Sequence, residues 1–443
     1  MITILILPAI LGGVATRTDA LAGRALYPTE WTEQAKLTPS RGAADAYFGY
    51  SLSMDGDYAI VGAVGENDHA GAAYIFLWNG AQWTEQARLT ASDREAGDNF
   101  GYSVSISGDA AIIGAMGDAD NGPNAGAAYV FARNGSEWTE QAKLTAADAA
   151  QGDHFGWRVA ISEDTVFIGA VEADGLSSSS GAVYVFMRDG STWTQRQKLT
   201  TGDDAASDDF GGSIALRADY AIIGAKTPPD EFGNFSGSAH VFAYTGDVWT
   251  EQAKLTPANG TTSDRFGYSV AMGDDYAMVG AIGDDENGGF SGAVYVFSRN
   301  GNTWTQQARL TASDGAVLNR FGFSLSVSGN TALIGAIGSD GRRPGSGAAY
   351  VFVYNAGVWT EDLKITASDG DEDDQFGYSV SLNGGTALIG AARDDDNGDH
   401  SGSAYVFQGP TPPPTETPRP TATPTSTPTA TPALPTATAT LPP

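Results

Sequence analysis

The chain contains no cysteine. That excludes disulfides, thiolate nucleophiles and cysteine-based metal sites, so stability has to come from a sizeable core. Basic residues are scarce: 24 Lys and Arg face 53 Asp and Glu, a net charge of −29. Arg17 and Arg24 cancel Asp19 and Glu30, and Arg419 cancels Glu416, so the whole acidic excess falls on residues 31–407. Such a surface repels phosphate backbones, which argues against a nucleic-acid partner, and it attracts cations. Histidine is limited to His69, His154, His240 and His400, and no HExxH, GxSxG or phosphate-binding glycine loop occurs. Long apolar runs are missing too. The one candidate, MITILILPAILGGVA at the N-terminus, is short for a membrane span. It reads as the apolar part of a signal peptide, with a leader over residues 1–28.

What is present in quantity is glycine (57 residues), together with aromatic and β-branched residues in short alternating runs. That combination points to an all-β protein. Phe-Gly pairs recur at Phe48, Phe100, Phe155, Phe210, Phe266, Phe321 and Phe376, at steps of 52 to 56 residues. One unit reads FGYSVSIS, AAIIGA, GAAYVFA and WTEQAKLT, which predicts four strands, A to D. Short polar turns such as SGD and RNGSE join A to B and C to D. Longer loops join B to C and D to the next A, so both kinds of loop emerge at the same end of the sheet. Strand A alternates bulky and small residues with little charge on either face, as expected where sheets stack on both sides.

Tryptophan sets the topology. Trp31, Trp83, Trp138, Trp193, Trp249, Trp304 and Trp359 each precede the next Phe-Gly by 17 residues. The seventh unit ends at SAYVFQ, before a strand D of its own, whereas TEWTEQAKLT at residues 29–38 is a strand D with no unit before it. An open stack of sheets does not explain this offset. A closed ring does, so the predicted fold is an all-β, seven-bladed β-propeller over residues 29–408, with four-stranded blades. An N-terminal strand completes the last blade. Residues 409–443, nearly all Pro, Thr and Ala, predict a disordered or polyproline stalk.

The repeated FG…S(V/L)…(I/V)GA…G(A/S)(A/V)YVF pattern resembles FG-GAP repeats, the units of the integrin α-subunit propeller, and covers residues 31–407. More closely it resembles secreted bacterial FG-GAP proteins that end in Pro/Thr-rich stretches. The resemblance implies a secreted or surface-displayed, monomeric binding or adhesion module. Its partner would be an extracellular protein or a glycan, met at the loop-bearing face. A carbohydrate-binding propeller and a secreted hydrolase are the rival readings. No catalytic constellation stands out, so a noncatalytic role is expected. The calcium loop that integrin-like repeats carry in the A–B hairpin is not matched. The corresponding segments, such as MDGDY, SEDT and SGNT, are too short for six to eight oxygen ligands.

Three features of the loop end bear on function. Blade 7 concentrates acid in SDGDEDDQFG and RDDDNGDHSG, nine carboxylates in all. Carboxylates so close together repel unless a cation compensates them. Asp369, Asp371, Asp373, Asp394, Asp396 and Asp399 are the candidate calcium ligands, and a solvated acidic rim is the other reading. Phe232 and Phe235 in blade 4 and Phe290 in blade 5 are candidate ligand-binding anchors, or side chains folded over the sheet ends. Trp157 takes the Tyr place in its strand A and is expected in the core. Arg158 beside it replaces the Ser of most repeats, and the repeat pattern offers no reason for it.

Overall fold

The computed structural model describes residues 30–175, 177–202, 209–226, 237–258, 260–261 and 263–410. The proposed leader over residues 1–28, the Pro/Thr stretch from residue 411 onward, and Phe232 and Phe235 lie outside the described residues. Seven four-stranded antiparallel sheets follow one another along the chain. In blade 1 the strands A to D are Phe48–Asp55, Tyr58–Ala63, Ala72–Trp78 and Trp83–Leu89. Strand B is apolar and buried beyond its first residue (Ala110–Ala115 in blade 2 reads AAIIGA and is buried throughout), because a neighbouring blade covers each of its faces. The core therefore lies between blades. One of its clusters joins Leu388 and Val406 of blade 7 to Phe48, Val61 and Tyr74 of blade 1.

Blade 7 has strands Phe376–Asn383, Thr386–Ala391 and Ser403–Gln408, and its fourth is Thr32–Leu37 from the start of the chain. The pairing is antiparallel and runs from Thr32↔Gln408 to Leu37↔Ala404, with a bulge between Glu33 and Ala35. The other C–D pairs carry the same bulge, in blade 2 between Val130 and Phe131. Lys36 stands opposite Tyr405 just as Lys143 stands opposite Tyr129. The first strand is thus an ordinary strand D in the ordinary register, and it closes the ring.

The repeated Phe-Gly and Gly-Ala pairs form the seams between blades. Gly62 of strand B lies against the carbonyl of Gly101 in the next blade, where any Cβ would collide. Ser51 Oγ donates to the same carbonyl at 2.7 Å. Matching bonds run from Ser213 to Gly267, Ser269 to Gly322, Ser324 to Gly377, and across the closure from Ser379 to Gly49. The Phe-Gly glycine itself has φ near +90° (Gly49 +89°, Gly101 +91°), a conformation that side-chain-bearing residues avoid. On the outside, Trp138, Trp193 and Trp304 each donate an indole N–H to a Gln of the preceding blade at 2.9 Å. The Trp at the head of strand D is architectural.

The A–B hairpins close over two residues in six blades, for example Asp55↔Tyr58 and Ser107↔Ala110. A turn of that length is too short to supply six to eight oxygen ligands by itself.

Candidate functional site at the loop-bearing end

Phe48 pairs with Ala63, so the start of strand A and the end of strand B share one edge of the sheet. The D–A and B–C loops therefore emerge together. They dock on each other across blades: Tyr47 N donates to His400 O at 3.0 Å, and Arg320 N to Phe290 O at 3.0 Å.

In blade 7 the carboxylates meet a cation that the chain itself supplies. Lys36 Nζ donates to Asp369 Oδ2 at 2.9 Å, to Asp394 Oδ2 at 2.8 Å and to Asp396. The Tyr405 hydroxyl lies 2.8 Å from both Asp369 Oδ1 and Asp394 Oδ2. Burial works against the charge on Lys36, but the bonds to Asp394, Asp396 and Asp369 outweigh it and hold its pKa above the usual lysine range. Burial likewise opposes ionisation of Asp369, yet the bonds from Lys36 and Tyr405 leave its pKa below the ordinary carboxyl value. Blade 2 repeats the arrangement. Asp93, Asp118 and Asp120 place carboxylate oxygens within 4.8 Å of one another. Lys143 Nζ donates to all three at 2.7–2.9 Å. In blade 5, Arg309 pairs with Asp284 and Glu286.

The other three candidate ligands lie elsewhere. Asp371 forms an ion pair with Arg343 of blade 6 at 2.6 Å. Asp373 and Asp399 line an open cavity of about 320 Å³ together with Asp45, Glu372, Arg393, Asp395 and His400. His400 Nδ1 lies 3.3 Å from Asp45 Oδ1, and its ring stacks on Tyr47. Asp374, buried between the loops, accepts the Asp371 backbone N–H at 2.6 Å. Desolvation pushes its pKa up to about 6, with Asp394, Asp395 and Asp371 adding to the rise and the Asp371 N–H opposing it.

Phe290 is half-buried with φ +57°, and the Arg265 guanidinium lies 5.5 Å from its ring centroid. It is partly covered rather than freely presented.

The sequence reading missed the axis. The third residue of each strand A points toward the centre of the ring, and six of the seven are aromatic: Tyr50, Tyr102, Trp157, Tyr268, Phe323 and Tyr378. From Trp157 through Tyr102, Tyr50, Tyr378 and Phe323 to Tyr268, successive ring centroids are 4.9–5.2 Å apart. Trp157 is therefore not a core residue; it is half-buried and lines the axial cavity, which measures about 260 Å³. In blade 4 the aromatic is replaced by Gly212. A Cβ there would come within 3.0 Å of Lys226 Cε and 3.3 Å of its Nζ. Lys226 fills the gap, its ammonium 4.9 Å from the Tyr268 centroid and 5.8 Å from that of Trp157. Arg158 is the second cation of this lining, 5.8 Å from the Tyr102 centroid. Burial lowers the Lys226 pKa to about 8. Arg158 and Arg265 push in the same direction and Asp209 opposes them. The signal lay in departures from the repeat: Gly212 for an aromatic, Arg158 for Ser, and Lys226 where the other blades have Val64, Met116, Val171, Ile282, Ile337 and Ala392.

The fold and this end of it define a closed propeller whose repeating residues build the ring and whose non-repeating ones gather at the loops and the axis. A model described as the FG-GAP repeat matches residues 31–76, 83–131, 138–186, 193–242, 249–297, 304–352 and 359–407, and the chain belongs to that family. Each matched stretch opens at a strand-D tryptophan, so the sequence unit runs D–A–B–C while the blade runs A–B–C–D. No curated protein matches the chain significantly.

Proposed function

We propose that the protein is a noncatalytic, extracellular binding module that engages a protein or glycan ligand through its loop-bearing face. The observation that carries this reading is how the residues divide. Residues that recur from blade to blade are largely occupied in seams and internal ion pairs, whereas residues that break the repeat, among them Arg158, Gly212, Lys226 and Phe290, lie at the loop-bearing end. Rigid scaffolds that carry variable loops are the usual platforms for recognition. A secreted or surface-displayed bacterial setting is part of this proposal, and the family resemblance supports it. Among the described residues no helix is long and apolar enough to cross a membrane.

The full chain is to be screened against arrayed glycans and purified extracellular-matrix proteins, with two variants alongside it. Phe290→Ala with Asp373→Ala alters the loop face, and Asp57→Ala alters an exposed A–B turn at the opposite end. The expected result is retention of a ligand that weakens by about tenfold or more in the loop-face variant only. Equal weakening in both variants, or turnover of a glycoside or ester substrate abolished by a loop carboxylate change, would overturn the reading. Retention on the glycan array selects the carbohydrate-binding form, and retention on protein selects the adhesion form.

A further inference from the structure

The axial cavity combines features that the ring itself does not need. Blades elsewhere close the centre with an aromatic on strand A, and a seventh aromatic in blade 4 would complete the collar. Gly212 opens it instead, and Lys226 enters the opening. Most of the serines around the cavity are already engaged: Ser51, Ser213, Ser269, Ser324 and Ser379 donate to neighbouring glycine carbonyls. The charged donors left in the lining are Lys226 and Arg158, and no carboxylate is among the lining residues. An aromatic collar alone would suit a cationic ligand, but two built-in cations already face the rings, which excludes one. Lys226 is largely buried beside a second cation, Arg158, and Asp209 compensates it only in part, so an anion between the two would relieve the repulsion.

The wider face supports this. Arg265 and Arg320 join Arg158 in favouring the ionised form of Tyr268, so further basic charge lies near the lining of the cavity. The acidic cavity of Asp45, Glu372, Asp373, Asp395 and Asp399 lies at blades 7 and 1. A polyanion would be repelled by the net charge of −29. A single small anion held at Lys226 and Arg158 would not.

We propose that the axial cavity is a binding site for a small, singly charged carboxylate with a neutral ring-shaped body. Its carboxylate lies between Lys226 and Arg158, and its body rests against the aromatic collar. The volume of about 260 Å³ admits one such ring and little more. The proposal rests on the loop-bearing end being the binding face, and it names the part of that face where a small ligand sits.

The test is calorimetric titration of the full chain with glucuronate, benzoate, glucose and phosphate. The same titrations are run on Lys226→Met and Arg158→Ser, the latter giving blade 3 the Ser that most other blades carry. Glucuronate binding marks a sugar acid as the ligand class, and benzoate binding an aromatic acid. In either case each variant weakens binding by about tenfold or more and glucose does not bind. Melting curves keep the test open if binding is lost. Lys226→Met removes a desolvated charge, so it melts no lower than the parent at neutral pH, and a loss of binding there is not a loss of fold. Failure of both carboxylates to bind, binding of phosphate alone, or undiminished binding in both variants overturns the proposal. If the loop-face variant loses its macromolecular ligand while the parent chain binds neither carboxylate, the loop-face reading stands and the axial site falls.

Discussion

Lys36 shows how much one residue of the repeated phrase TEQAKL can do. It belongs to the strand that closes the ring, and its ammonium bridges three carboxylates from two loops of the last blade. Asp394 is buried, so removing the ammonium leaves a buried charge uncompensated beside two partly exposed ones. Lys36→Met should cost about 2–4 kcal/mol in equilibrium unfolding. Millimolar calcium should restore part of the lost melting temperature in that variant and do less for the parent. An unchanged melting temperature in Lys36→Met would contradict this account of the cluster. Asp374 behaves in the opposite sense. A carboxyl whose folded-state pKa lies above its unfolded value stabilises the fold at low pH. That contribution is lost as pH rises from the ordinary carboxyl range through about 6. At neutral pH the ionised Asp374 is therefore a net cost. Asp374→Asn keeps the acceptor for the Asp371 N–H and removes the charge, as blade 6 already does with Asn319. It should raise stability by about 1–2 kcal/mol at pH 7, and the gain should vanish near pH ~4. Thermal melts at the two pH values check both halves.

At the scale of the element, strand D accounts for the phrase that recurs most faithfully. Its Trp donates to the Gln of the preceding blade, as Trp138 does to Gln86. Its Glu accepts from the loop before it: Glu140 from Ser92 N and Oγ, and Glu33 from Ser368 across the closure. Its Lys or Arg reaches the loop carboxylates, and its Leu enters the core, as Lys143 and Leu144 do. These positions repeat because each meets the same kind of neighbour in most blades, blade 4 departing where the Trp249 indole N–H has no partner and Glu251 meets His240. For that reason the spacing in the sequence was enough to read strands, blade number and the offset of Trp31. The site was harder to read. Lys36 and Asp394 are 358 residues apart and meet only because the ring closes. The acidic loops could be seen in the sequence, but not that an ammonium lies among them. The axial collar takes one residue from each strand A, seven positions some 55 residues apart, and period-two patterning cannot say which face of that strand looks inward. Arg158 stood out in the sequence as an exception, and its reason appears only beside Lys226 and the missing side chain of Gly212.

At the scale of the whole molecule, closure underlies every other feature. The axial cavity exists only if seven strands A surround it, and Lys36 reaches its partners only if Thr32–Leu37 sits at the edge of blade 7. Without that strand, Ser403–Gln408 would be an exposed edge open to pairing with other chains. Loop-face binding also depends on closure, since the contact between the Tyr47 and His400 loops joins the two ends of the ring. Native-state hydrogen exchange resolved by residue on the full chain tests closure most directly. The amides of residues 32–37 that pair with blade 7 are expected to exchange as slowly as those of residues 403–408, because both open only with the ring. Exchange of residues 32–37 at the rate of exposed loops, with 403–408 protected, would show that the first strand does not close the propeller.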